Sequence, residues 1–288
     1  MSALLAYWVH DLSPFAIQFS NTFGIRYYGL AYIAGFAAAW WLLRRYSAKG
    51  LTSLTTDQLG DLITCLVIGV LLGGRLGYFA FYEPEVLFGS PLTLLRVWDG
   101  GMASHGGFIG VAAALWWTAR ATRMPWRHLA DLIASVTGAG LLFGRIANFI
   151  NGELWGKSST VSWAVIFPLS APPGTPTELL IARHPSQLYA AALEGLVLLI
   201  VMQVLVWKTS LLSQKPGRIA GWFLVGYALM RTISEIFREP DAGLILGLSR
   251  GTFYSFFIAI AGLALLLAPT GAVTARVAVK PEIRNRNR

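Results

Sequence analysis

Residues Gly138 to Gly156 read GAGLLFGRIANFINGELWG, and this stretch decides how the rest of the chain is read. It ends an otherwise apolar segment, Leu132 to Ile150, that is long enough at about 1.5 Å per residue to cross a bilayer. An arginine in hydrocarbon costs roughly 2.5–3.5 kcal/mol on insertion scales, so Arg145 must face a partner, a cavity or the water interface. Arg145, Asn148 and Asn151 are spaced by three and share one helical face if the helix runs that far, with the Glu153 carboxylate just beyond. A cation, two amides and an acid are therefore offered at the end of a span.

The composition agrees with a membrane setting. Hydrophobic residues make up 55% of the 288 and charged residues 13%, at a mean hydropathy of +0.58, which excludes an ordinary soluble globular protein. The net charge of +9 does not point to nucleic acid, because the basic residues are scattered through loops and the tail and form no patch interleaved with stacking aromatics. The single cysteine, Cys65, lies inside an apolar segment and reads as a packing residue, so neither an intrachain disulfide nor a cysteine zinc site is expected. His10, Asp11 and Pro14 stand where the apolar region of a signal peptide would be, and no such peptide is expected.

Seven apolar segments follow: Tyr28–Leu43, Leu59–Tyr82, Gly106–Ala119, Leu129–Ile150, Leu188–Trp207, Ile219–Phe237 and Thr252–Ala268. The third is short, and its start is expected to lie earlier. Most of the 23 basic residues fall in alternate connections and in the tail: Arg44, Arg45 and Lys49; Arg120, Arg123 and Arg127; Lys208, Lys215 and Arg218; and Arg276 onward. By the positive-inside rule the carboxyl terminus is then cytoplasmic and the amino terminus outside. The expected fold is an all-α polytopic membrane protein, a seven-helix transmembrane bundle forming a single domain over 1–288. The outer connection 151–186, rich in proline and tryptophan, forms a small head, and a basic tail covers 269–288 and sits on anionic lipid. Gly69, Gly73 and Gly77, Gly106 and Gly110, Gly140 and Gly144, and Gly217 and Gly221 are spaced for close helix contact.

Four polar groupings fall on the outer side. They are Arg26-Tyr27-Tyr28-Gly29; the glycine-rich turn Trp98 to Gly107, which delivers His105 to the third span; the opening stretch; and Arg231 to Arg238, where Arg231, Glu235 and Arg238 share a face of one helix. Each has a purely structural reading: an ion pair between Arg231 and Glu235, interhelical amide bonds of ~0.6–2 kcal/mol, a snorkelling Arg145, an ordinary loop histidine. Their convergence on one side favours a site. Arg145, Arg231 and Arg238, with Asn148, suit an anionic phospholipid head because guanidinium forks match phosphate oxygens. Glu153 and Glu235 would orient those arginines. His105 is the candidate general base, and a thiol near lipid is a group that needs one. The competing class is a transporter or channel for an anionic substrate, against which stand the lack of internal symmetry and the one-sided clustering.

HGG at 105–107, GRIANFINGELWG at 144–156, RHPSQLY at 183–189 and RTISEIFR at 231–238, with RYYG at 26–29 and RVWDGGM at 96–102, together resemble the prolipoprotein diacylglyceryl transferase family over about residues 15–268. The resemblance implies seven spans with a periplasmic head in the bacterial inner membrane. It also implies transfer of a diacylglyceryl group from phosphatidylglycerol to the lipobox cysteine of a prolipoprotein signal peptide, with no cofactor or metal. By position it assigns importance to Tyr28, His105, Arg145, Asn148, Glu153, Gly156, Arg231 and Glu235; taken with the arginine reading above, the expected lipid-binding positions are Arg145, Asn148, Gly156, Arg231 and Arg238. The chain departs from the family at Arg250 to Ser255, where a Met-Gly-Gln-like step is usual.

Overall fold

The computed structural model describes residues 7–20, 23–96, 101–240 and 242–270; Trp98, Asp99 and Gly100 of the glycine-rich turn, and the basic tail from 271 on, lie outside them. Helices α1 (Tyr27–Ala48), α2 (Thr56–Tyr82), short α3 (Pro84–Gly89), α4 (Ser104–Thr122) and α5 (Trp126–Ile150) are followed by α6 (Ser186–Ala190). A π-helical turn, Ala191–Val197, continues α6 into α7 (Leu198–Lys208), and α8 (Leu211–Gln214), α9 (Arg218–Glu235) and α10 (Arg250–Leu267) complete the set. Each apolar segment marked in the sequence falls on one of the long helices, and the third does begin earlier, at Ser104. Among the described residues, four helices, Thr56–Tyr82, Trp126–Ile150, Ser186–Lys208 and Arg250–Leu267, are long and apolar enough to cross a membrane by length and composition.

Local chemistry starts and stops these helices. Thr55 and Gln58 form a reciprocal capping box at α2, its two hydrogen bonds 3.0 and 3.2 Å long, which satisfies two orphan amides. The first turn of α9 is capped from another helix: both oxygens of the buried Asp131 carboxylate on α5 accept backbone N–H bonds of 2.7 Å, from Gly217 and Ala220. Arg123 ends α4 in a left-handed conformation at φ 56°.

The bundle is assembled in pairs, α2 along α4, α1 along α5 and α9 along α10. Glycines allow the first pair its closeness, since a Cβ on Gly106 or Gly110 would overlap the carbonyls of Gly73 or Gly69. The same expectation fails for Gly144 and holds only partly for Gly140. A Cβ on either meets nothing within 4 Å, because α5 leaves an open cleft there, although Gly35 of α1 comes close to the Gly140 backbone. Toward the end of the bundle that carries the basic loops, Leu43, Tyr46, Leu59, Leu62, Leu129 and Leu132 form a solid core.

At the opposite end lies a small β-structure. Strand β1 (Trp8–Val9) runs parallel to β4 (Val165–Ile166), which pairs antiparallel with β5 (Ala182–Arg183), over Ala164, Ile166, Leu180 and Ala182. The opening segment thus joins the long connection between α5 and α6. A second hairpin, β2 (Phe15–Gln18) with β3 (Gly24–Arg26), leads directly into α1.

Candidate active site

Arg145 lies near the end of α5 and donates from Nη2 to Glu194 Oε2 at 2.9 Å. Glu194 is fully buried in the π-helical turn. Its other oxygen accepts from Ser234 Oγ at 2.7 Å and pairs with Arg231 Nη1 at 3.3 Å. A carboxylate with no access to water persists there because three donors replace its hydration. The π turn comes this close to α5 through Gly195, whose added Cβ would lie 2.6 Å from Leu142 Cα. Such turns widen a helix and recur at functional sites.

Arg231 also pairs with Glu235, one turn along α9, and Arg238 Nε stands 4.0 Å from the same carboxylate oxygen. The single helical face expected for these three residues needs correcting. Helix α9 ends at Glu235, and Ile236, Phe237 and Arg238 donate backbone bonds to carbonyls three residues back. Arg238 is then held by an antiparallel bridge to Gly156, with Lys157 N donating to Phe237 O at 2.9 Å. The ion-paired cluster brings together three guanidiniums and two carboxylates.

Asn148 donates to Glu153 Oε1 at 2.7 Å, and Asn151 reaches the same oxygen at 3.4 Å. Among the described residues, Glu153 therefore has the two asparagines as its side-chain partners in place of the arginines it was expected to orient. Gly152 and Leu154 both adopt positive φ, folding 151–156 back under α6, where Gln187 Nε2 donates to Glu153 O and Ser186 Oγ to Leu154 O. Gly156 is enclosed: a Cβ would stand 2.5 Å from His184 O and 2.6 Å from Phe237 O, so no other residue permits this approach.

Two spaces are lined in common by Arg145 and Asn148. One is a small polar cavity of about 10 Å³, room for one water, bordered by Arg145, Asn148, Gln187, Arg231 and Arg238. The other is an apolar cleft of about 480 Å³ between the α1/α5 and α2/α4 pairs, with Tyr28, Asn148 and Arg145 at its polar end. Among the described residues, the buried Arg145 Nε and Gln187 Oε1 have no hydrogen-bond partner. Tyr28 stacks edge-on to Tyr32 at 5.4 Å on the cleft wall. His105 stands apart from both spaces: it is exposed on the first turn of α4, 6.5 Å from the Tyr254 ring, while Gly107 and Phe108 line the cleft. The first turn of α10 backs the ion pairs, with Gly251 so close that a Cβ would lie 2.5 Å from Glu235 Oε1.

Residues 14–268 match the model of the prolipoprotein diacylglyceryl transferase family. The chain belongs to that family. A phosphatidylglycerol–prolipoprotein diacylglyceryl transferase of Cereibacter sphaeroides is 44% identical over 280 residues, covering 89% of this chain and 96% of the relative. Proteins of the same name from Ruegeria pomeroyi, 47% identical over 245 residues, and Rhodospirillum rubrum, 43% over 250, cover 82% and 85% of this chain and 83% and 88% of themselves. The prolipoprotein diacylglyceryl transferases are enzymes of lipoprotein maturation, and this chain is a membrane transferase of that kind; a transporter or channel is thereby set aside. The residue that sequence reasoning missed is Glu194. Its signal was present, since a lone carboxylate inside the apolar segment Leu188–Trp207 demands a cationic partner.

Proposed function

We propose that this transferase takes the diacylglyceryl group from phosphatidylglycerol and places it on the thiol of the lipobox cysteine of a prolipoprotein signal peptide. The observation that carries the substrate class is that Arg145 and Asn148 line both spaces, so a cluster of guanidiniums stands at the polar end of an apolar cleft. An amphiphile with one phosphodiester and long acyl chains suits this arrangement, its chains in the cleft and its acidic head against Arg145 at the polar end, and the names of the relatives agree. Arg145, Arg231 and Arg238 bind the head group, with Asn148 adding an amide; Gly156 holds the backbone against which Arg238 is fixed. Glu194 and Glu235 keep the guanidiniums aimed, and Glu153 does the same for Asn148.

The reaction is a displacement at glycerol C3. The thiolate sulfur forms the C–S bond as the C–O bond to phosphate breaks, and the released glycerol phosphate leaves with the electron pair. Charge builds on the phosphate oxygens as the bond breaks, so guanidiniums fixed in advance lower the barrier. His105 takes the thiol proton, and its exposure outside the cleft suits a base that meets the peptide arriving from a different direction than the lipid. Tyr28 borders the leaving-group end. No residue set for a metal is found among the described residues, and the scheme uses no cofactor.

In this scheme all seven long helices cross the bacterial inner membrane. The β-structure with 151–186 is the periplasmic head, the amino terminus is periplasmic and the carboxyl-terminal tail is cytoplasmic. Incubating purified protein with phosphatidylglycerol and a lipobox peptide should raise the peptide mass by one diacylglyceryl group, and a Cys-to-Ser peptide should gain nothing. An unchanged cysteine peptide would overturn the assignment.

A further inference from the structure

We infer that the apolar cleft is a slot of limited depth that sets the longest acyl chain the donor lipid can carry, an inference that rests on the proposed function above. The slot has a floor. On three of the four walls, one turn further in from the last lining residue, the same helix face carries a leucine of 0% exposure: Leu43 below Ala39 on α1, Leu59 below Ile63 on α2, and Leu129 below Ile133 on α5. From Arg145, where the head is held, to Ile133 at the floor, α5 rises about 18 Å, whereas one leaflet of a bilayer offers about 15 Å of hydrocarbon. A chain whose head is held at Arg145 therefore runs past the depth of its own leaflet and meets packed leucine.

The discrimination comes from fit. A lipid tail leaves an apolar bilayer for an apolar slot, so transfer itself contributes almost nothing; an overlong chain must buckle or displace a close-packed leucine, which is the cost of overpacking. Gly140 and Gly144 keep the slot open, because their missing side chains face empty space. Gly140 lies about 12 Å in from Asn148 along α5. A leucine there would fill the slot at mid-depth, with nothing within 4 Å of the new Cβ and with a better helix former replacing glycine, so the variant should fold.

The test compares didodecanoyl, dihexadecanoyl and dieicosanoyl phosphatidylglycerol, each in phosphatidylcholine vesicles, as donors to a lipobox peptide. Gly140→Leu should lower the ratio of long-chain to short-chain use about ten-fold, the scale expected of overpacking, and Leu43→Ala, which deepens the floor, should raise it. Folded Gly140→Leu with the chain-length profile of the unsubstituted protein would overturn the inference, whether or not Leu43→Ala folds. Failure of the unsubstituted protein to modify the peptide with any of the three donors would instead defeat the proposed function, and this inference with it.

Discussion

Arg145 Nη2 and Glu194 Oε2 stand 2.9 Å apart across the junction of α5 with the π-helical turn, and the carboxylate is wholly enclosed. This pair ties the helix that carries the Gly138–Gly156 stretch to α9, because Glu194 also engages Arg231 and Ser234. Removing one partner of a buried pair leaves the other charge uncompensated, at roughly 3–5 kcal/mol. Glu194→Ala should therefore lower thermal stability in detergent by that order. Glu194→Gln, which keeps the shape and one acceptor oxygen but turns an NH2 donor toward the remaining donors, should lose less stability while still losing about ten-fold in kcat/KM, because the guanidiniums are no longer aimed by charge. A folded Glu194→Gln protein with full transfer activity would contradict this.

Arg145→Lys tests the guanidinium fork directly. Lysine keeps the charge and gives up the planar pair of donors, so transfer should fall about a hundred-fold, the scale seen when one fixed donor to a developing anion is lost. The variant should still melt cooperatively, since an ammonium can pair with Glu194. Transfer at the unsubstituted rate would remove the bidentate role.

Gly156→Ala introduces a methyl 2.5 Å from His184 O and 2.6 Å from Phe237 O. The bridge to Arg238 must open, and activity should drop at least about ten-fold with a smaller loss of stability, since overpacking costs roughly 1–3 kcal/mol. A competition assay with short-chain phosphatidylglycerol should show the loss chiefly in KM. A loss confined to kcat would point away from Arg238 as a binding residue.

At the basic-loop end, Asp131→Ala removes the acceptor for Gly217 N and Ala220 N, leaving two buried amides of α9 unpaired. Stability should fall by about 1–3 kcal/mol for each amide left unsatisfied. Activity per folded molecule should persist, because the cap lies at the far end of α9 from Arg231. Activity lost without any change in melting temperature would show that Asp131 does something other than cap a helix.

The lines of the bundle were legible from apolar run length. A helix closes its own backbone hydrogen bonds, so a long apolar run such as Leu59–Tyr82 carries the information for α2 within itself, and Thr55 with Gln58 marks its start. Arg145, Asn148, Arg231 and Glu235 were legible as odd residues in hydrocarbon, whose cost signals a partner. The identity of each partner was not. Glu153 was matched with arginines and reaches asparagines, Arg238 was placed on a helix that stops three residues earlier, and Gly144 was read as a contact where it borders a cleft.

The amino-acid order alone determined that this chain lives in a membrane, where its apolar helices begin and end to within a few residues, and that cationic side chains must be sheltered near one end of them. Which charges meet was decided only in three dimensions. Glu194 lies 49 positions from Arg145 and 37 from Arg231, and no local periodicity relates residues so far apart. Close packing of Gly195 on Leu142 brings Glu194 to Arg145, because a guanidinium and a carboxylate pair only when the backbones carrying them are brought close.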